Sequence, residues 1–428
     1  MSTARSAGDE VGRVLDAVWR MESPKLIAAL TRIVHDVGLA EDLAQDAMVA
    51  AVQQWPESGV PANPAAWLMA VGKRRAIDHI RRSVTLERKE AELGRAAEHA
   101  QPTEDDRDEA IDNAAISDDL LRLLFICCHP VLSVDARVAL TLRMLGGLRT
   151  DEIARAFLVP EATIAQRIVR AKRTLSEARV PFEVPTGADF DARLDSVLQV
   201  LYLVFNEGYS ATAGDDWVRP TIAEDALRLG RVLEGLVPHI AEVHGLVALM
   251  ELQASRMRAR VAPGGQPIPL AEQNRARWDQ LLIGRGLAAL AKAEALGGTR
   301  GPYALQAAIA AVHAQARTPD ATDWPRIVAL YDALAQLTPS PVVELNRAVA
   351  VSMAFGPAAG LELVDALSGE AALASYHLLP AVRGDLLAKV GRYAEAAAEM
   401  RRAADLTRNA AERNLLLERA ATSAARDG

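Results

Sequence analysis

Apolar and polar positions separate most cleanly between Thr150 and Leu175. At about 100° per residue, Ile164, Ile168, Ala171 and Leu175 fall on one narrow stripe, which predicts a helix backed by core. Thr163, Gln166, Arg170 and Arg173 face the opposite way, with Arg167 and Lys172 on the flanks. The preceding segment, Thr150 to Phe157, reads as a short helix opened by a Thr cap, with Asp151 and Glu152 in its first turn. Leu158-Val159 supply a tight turn, and Pro160 suits the first position of the next helix. A helix-turn-helix with a Thr/Gln/Arg front can enter a major groove, where Gln and Arg read base edges. A merely solvated amphipathic helix satisfies the same pattern.

A second patterned segment runs from Asn63 to Arg82. Ala66, Met69, Ala70, Ile77 and Ile80 are expected on its inner side, with Arg75, Asp78, His79 and Arg82 at i, i+3, i+4, i+7 on the other. Arginines grouped on one helix supply phosphate contacts, and a Trp or His can stack on an unpaired base. Trp67 is more simply read as core packing. Between Gly38 and Trp55, Leu43, Ala47, Ala50 and Gln54 line one side, opposite Asp42, Gln45, Asp46 and Val49. By itself an acidic-polar face of this kind is usually just solvated.

Helical patterning covers about residues 11–82, broken by Gly and Pro between Trp55 and Pro61. The chain then turns acidic, with the run Glu104-Asp105-Asp106-Arg107-Asp108-Glu109, which predicts a flexible linker. Helices resume at Leu120, and Pro181 to Gly187 marks a further boundary. Everything beyond Phe190 is Ala/Leu-rich. There Gly391-Arg392-Tyr393-Ala394-Glu395-Ala396, with Met400 and Ala403, fits the second half of a tetratricopeptide repeat. Segments starting at Gly356 and Gly301 are weaker relatives, so stacked helical hairpins are expected, with an irregular bundle as the alternative. The fold class is all-α: two small helical domains followed by a tetratricopeptide-like extension.

Composition changes this picture little. Half of the residues are hydrophobic and only 4% aromatic, as in helical globular chains. The net charge of −8 argues against nucleic acid only until the clustering of basic residues is considered. Two adjacent cysteines, Cys127 and Cys128, offer no disulfide framework and fit a reducing compartment. With no apolar signal region at Met1 to Arg5 and no membrane-length apolar run, a cytoplasmic protein without membrane contact is expected.

Enzymatic chemistry finds no residues to stand on. Cys127-Cys128-His129 tempts a metal reading, but adjacent helical residues diverge by about 100°. His239 and His244 miss the i, i+4 spacing of helical ligand pairs, and Gly284-Arg285-Gly286 lacks a third glycine and a preceding strand. Phosphate-binding loops, nucleophile elbows and metalloprotease motifs are absent. No catalytic residue, metal or cofactor is therefore expected.

Taken together, the segments resemble a bacterial RNA polymerase sigma factor of the extracytoplasmic-function group. Ala40 to Ala47 looks like the part of region 2 that meets the polymerase clamp, Asn63 to Arg82 like the part that recognises and opens the −10 element, and Thr150 to Leu175 like the region 4 reader of the −35 element. Pro160 and Gln166 stand where Ser is frequent in that family. The resemblance implies region 2 over residues 10–84, an acidic linker over 85–119 and region 4 over 120–180. It assigns core-polymerase contacts to Glu41, Asp42, Gln45 and Asp46. Contacts to −10 DNA go to Asn63, Trp67, Arg74, Arg75, Asp78, His79, Arg81 and Arg82. Those to −35 DNA go to Thr150, Thr163, Gln166, Arg167, Arg170, Lys172 and Arg173. The implied partners are core polymerase (its β′ clamp and β flap) and promoter DNA.

Residues 190–420 resemble the long tetratricopeptide-like extension of one subgroup, with Tyr202 to Tyr209, Gln306 to Ala310, Ser340 to Ala348 and, at the head of region 4, Phe125 to Pro130 as its signatures. That extension is expected to modulate activity and to take a peptide or protein partner. The acidic linker is either a plain tether or a segment for a cationic nucleic-acid channel. The rivals are a helix-turn-helix regulator acting without core polymerase and a repeat scaffold whose helix-turn-helix merely packs.

Overall fold

The periodicities above become helices almost everywhere. The computed structural model describes residues 2–92, 113–298 and 301–427, and its regular structure is all-α apart from two two-residue strands. The chain divides into two compact units, Met1–Val200 and Leu201–Gly428.

In the first unit, α1 (Ser2–Val34) packs on α2 (Val37–Ser58) and α3 (Pro64–Glu92). Asp36 caps α2 by accepting the Leu39 amide at 2.8 Å. Leu43, Ala47 and Ala50 are buried as expected, but Gln54 is exposed, and Trp55 fills the core in its place. In α3 the buried side is Leu68, Gly72 and Ala76, whereas Ala70 and Ile80 are exposed, so the expected inner face is turned. The reason is Gly72. A Cβ there would lie 3.0 Å from Leu26 Cδ1 and 3.2 Å from Leu30 Cδ1 of α1. The crossing centres on a residue that hydrophobic patterning gives no weight.

Helix α3 runs on to Glu92, into the stretch read as linker, and α4 (Asn113–Cys127) opens before its expected end. The acidic run at 104–109 lies outside the described residues. Helices α5 (Val134–Met144), α6 (Thr150–Phe157) and α7 (Glu161–Glu177) complete the helix-turn-helix. Two details differ by one residue. Arg149, not Thr150, holds the cap position of α6, its amide donating to Glu152 Oε2 at 2.8 Å, and Pro160 caps α7 rather than opening it. Leu158 turns the chain in the left-handed region, with φ of 50°. The first residues of α8 (Ala188–Tyr209) then close over α4. Phe190 packs on Phe125 with centroids 5.4 Å apart, and the Ser196 hydroxyl donates to the Cys128 carbonyl at 2.7 Å.

The second unit is a run of helices in which consecutive members pack on each other, as helical hairpins require. They are α9 (Pro220–Leu236), α10 (Ala241–Ala254), α11 (Gln280–Ala295), α12 (Pro302–Gln315), α13 (Trp324–Leu337), α14 (Pro341–Phe355), α15 (Pro357–Ala366), α16 (Leu378–Lys389), α17 (Tyr393–Leu406) and α18 (Ala410–Asp427). The tetratricopeptide-like segment at Gly391 opens α17, and Ala396, Met400 and Ala403 are among its buried residues. Two short strands, β1 (Ala213–Gly214) and β2 (Arg408–Asn409), pair in parallel and join the first connection of the array to its last. Asn409, fully buried, donates to the carbonyls of Ala211 and Asp216 at 3.1 and 2.8 Å. The Tyr202–Tyr209 signature has a packing role here. Glu207 pairs with Arg219 and accepts from the Thr212 hydroxyl, and a Cβ on Gly208 would lie 2.3 Å from the Ala223 amide nitrogen. Only glycine lets α9 start that close.

Candidate nucleic-acid interface

Helix α7 presents the two faces its pattern predicts. Ile164, Ile168, Ala171 and Leu175 are buried, while Gln166, Arg170 and Arg173 are exposed and Thr163 is half-buried. Val169, 64% exposed, shares that outer side. The cations behave differently from one another. Arg173 is held by Glu177 at 2.6 Å, and Arg167 by Asp135 of α5 at 3.0 Å. Arg170 makes no ion pair among the described residues. Thr150 is half-buried at the head of α6.

Lys172 turns back onto α2, where it pairs with Glu41 and approaches Asp42 at 3.9 Å. Glu41 is only 2% exposed and also accepts from Arg143 Nε of α5 at 2.6 Å. Burial alone would raise its pKa. Lys172 and Arg143 outweigh burial and hold the carboxyl below its usual range. The same junction carries Arg20–Glu152 at 2.6 Å and Arg32–Asp119 at 3.3 Å, both between α1 and the second half of this unit. Thus Glu41 is not a surface residue of the acidic face. It is the buried anion between that face and the helix-turn-helix. Asp42 and Asp46 stay exposed, Gln45 donates to Glu41 at 2.8 Å, and Asp46 pairs with Arg75 of α3 at 3.0 Å. A cleft of about 820 Å³ lies beside this junction, with Met48, Val49 and Val52 of α2 on one wall and Arg143, Arg149 and Glu152 on the other.

On α3, Asn63 caps the helix by accepting the Ala66 amide at 3.1 Å. Trp67 packs edge-on to Trp55 at 5.5 Å, as its core reading requires, yet keeps part of its surface in solvent. Arg74, Asp78, His79, Arg81 and Arg82 are exposed along one length of helix, and Arg82 Nε bonds the Asp78 carbonyl. Cys127 and Cys128 are buried free thiols, burial pushing that of Cys128 up to about 12. Among the described residues no three His, Cys, Asp or Glu side chains gather as metal ligands, and no helix is long and apolar enough to cross a membrane.

Sequence patterning missed the Glu41–Lys172–Arg143 cluster because its members are far apart in the chain. The one hint was an acid inside the apolar side of α2.

Comparison with known proteins agrees with this geometry. Residues 18–84 match sigma-70 region 2, residues 122–175 match sigma-70 region 4, and residues 193–294 match a family of unknown function, DUF6596. An uncharacterized protein of Rhizobium meliloti is 44% identical over 394 residues, 91% of each chain. The probable ECF RNA polymerase sigma factor SigI of Mycobacterium tuberculosis is 27% identical over 49% of this chain and 76% of its own. The ECF RNA polymerase sigma factor SigC of the same organism is 30% identical over 180 residues, 40% of this chain and 86% of its own. Region 2 and region 4 in that order, a helix-turn-helix with separated faces and a helical extension behind it place this chain in the extracytoplasmic-function family of RNA polymerase sigma factors.

Proposed function

We propose that the chain binds RNA polymerase core and directs it to a promoter set, residues 10–84 meeting the core clamp and the −10 element and residues 120–180 the −35 element and the β flap. The observation that carries this reading is the outer side of α7, where Thr163, Gln166 and Arg170 stand over a fully buried apolar stripe within a segment matching region 4. Gln and Arg so placed suit direct base readout. On α3, the exposed arginines suit phosphate, and the wet edge of Trp67 suits an unpaired base.

In this reading the free protein is closed. Glu41, assigned to core binding, and Lys172, assigned to DNA, neutralise each other, so core must bind the open arrangement better in order to populate it. The test is run-off transcription with purified core on the promoter upstream of the protein's own gene. A specific transcript that depends on this protein is expected. DNA binding without co-elution with core would favour a helix-turn-helix regulator, and neither activity would favour a scaffold.

The extension at 190–420 is proposed to be needed for full activity, because its first residues already cover Phe125 and Cys128 of region 4. A chain ending near Val184 removes that cover along with the extension. It is expected to give several-fold less transcript than full-length protein. Equal output would make the extension an independent module.

A further inference from the structure

Three arginines in the second unit are gathered without an acid. Arg256 lies over the rings of Tyr209 and Trp278, with its guanidinium 5.9 and 5.8 Å from their centroids. Arg260, one turn on, stacks on Tyr209 at 3.7 Å and faces Trp217 at 5.6 Å, and Arg275 covers Trp278 at 4.8 Å. Among the described residues no carboxylate comes within ion-pair distance of any of them. Burial, then repulsion from Arg256, lowers the pKa of Arg275, and burial with a smaller contribution from Arg256 lowers that of Arg260.

Part of this is structural. Arg275 donates to the carbonyls of His313 and Ala316, both at 2.6 Å, and so ties down the end of α12. Arg256 donates to the Tyr209 hydroxyl at 2.6 Å. Those bonds do not explain the remaining donors. Arg260 Nε, Arg275 Nε and Trp278 Nε1 are buried with no partner, and Trp278 is only 3% exposed. Cation–π contact offsets part of the cost of the charges but does not remove it. Aromatic faces occupy the flat sides of the guanidiniums, so an anion would approach the remaining donors along their edges, as carboxylate and phosphate oxygens do.

We propose that Arg256, Arg260 and Trp278, on the floor formed by Tyr209 and Trp217, bind a small oxyanionic ligand, a phosphorylated or carboxylated molecule. The site falls within the stretch that matches the family of unknown function, and it gives Tyr209 a role beyond packing. It does not depend on the promoter reading, since binding is read without polymerase or DNA.

The experiment uses the full-length chain at fixed ionic strength, following tryptophan fluorescence and thermal midpoint during titration with inorganic phosphate, pyrophosphate and succinate at millimolar concentration. Trp217 and Trp278 at the site are expected to report binding. A response to the phosphates or to succinate assigns the ligand's source, and either supports the site if R260Q weakens it about tenfold while R258Q, an exposed arginine outside the cluster, leaves it unchanged. Should R260Q not fold, W278F removes only the Nε1 donor and is expected to weaken binding several-fold. No response to any of the three anions, or equal binding by R260Q (by W278F where R260Q does not fold), overturns the proposal.

Discussion

An Arg170→Ala protein is expected to lose about 1–3 kcal/mol of promoter affinity, roughly 5- to 150-fold, and to relax its preference at one position of the −35 element. Among the described residues no carboxylate engages Arg170 on the outer side of α7, so its fork can reach a base without first breaking a pair. Arg173 is the internal control. Glu177 holds it, and its replacement should weaken binding on all sequences and reduce the salt slope by about one. Footprinting of both variants with core polymerase, across a set of single-base promoter changes, separates the two behaviours. An unchanged order of preference in Arg170→Ala would remove Arg170 from base readout.

The second large effect is expected at Glu41. Its replacement by Gln leaves Lys172 and Arg143 facing a neutral amide inside the first unit, at a cost of about 3 kcal/mol. Hydrogen exchange is the suitable measure because it resolves local opening: amides of α7 and of the Glu41 turn of α2 should exchange faster, while the second unit is unaffected. The free protein should also bind DNA better without core, since Lys172 is released. The pH dependence has a definite sign. Because the Glu41 carboxyl lies below its usual range in the folded chain, its contribution is fully present above the ordinary carboxylate pKa of about 4.5 and is lost as pH falls through the lowered folded value. Protection of α7 that is the same in Glu41→Gln as in the parent, at neutral pH, would show that the pair does not hold the two halves together.

What the sequence made legible follows from the range of the forces involved. The α7 stripe is a local pattern with one periodic cause, and Ile164, Ile168, Ala171 and Leu175 are all buried. The face of α3 was turned because its contact is set by a missing side chain, Gly72, rather than by a present one. The resemblance gave Glu41 a core-polymerase contact, and its burial was not legible because its partners lie on helices more than a hundred residues away. The arginine–aromatic cluster was invisible for the same reason. Tyr209, Arg256, Trp278 and His313 belong to separate connections and helices, and nothing in their local spacing brings them together.

The pairing of β1 with β2 bears on the order in which the chain can fold. Asn409 closes a loop of 198 residues onto Ala211. Stacked hairpins otherwise form from neighbours and can assemble progressively as the chain leaves the ribosome. This closure cannot form until the segment before α18 has emerged, and its loop entropy is offset only then. The helix-turn-helix precedes it by more than two hundred residues of synthesis, so the first unit has time to fold before the array is closed. A nascent chain stalled before Arg408 would therefore carry a finished DNA reader on an unfinished extension, and completion of synthesis would be the step that locks the array.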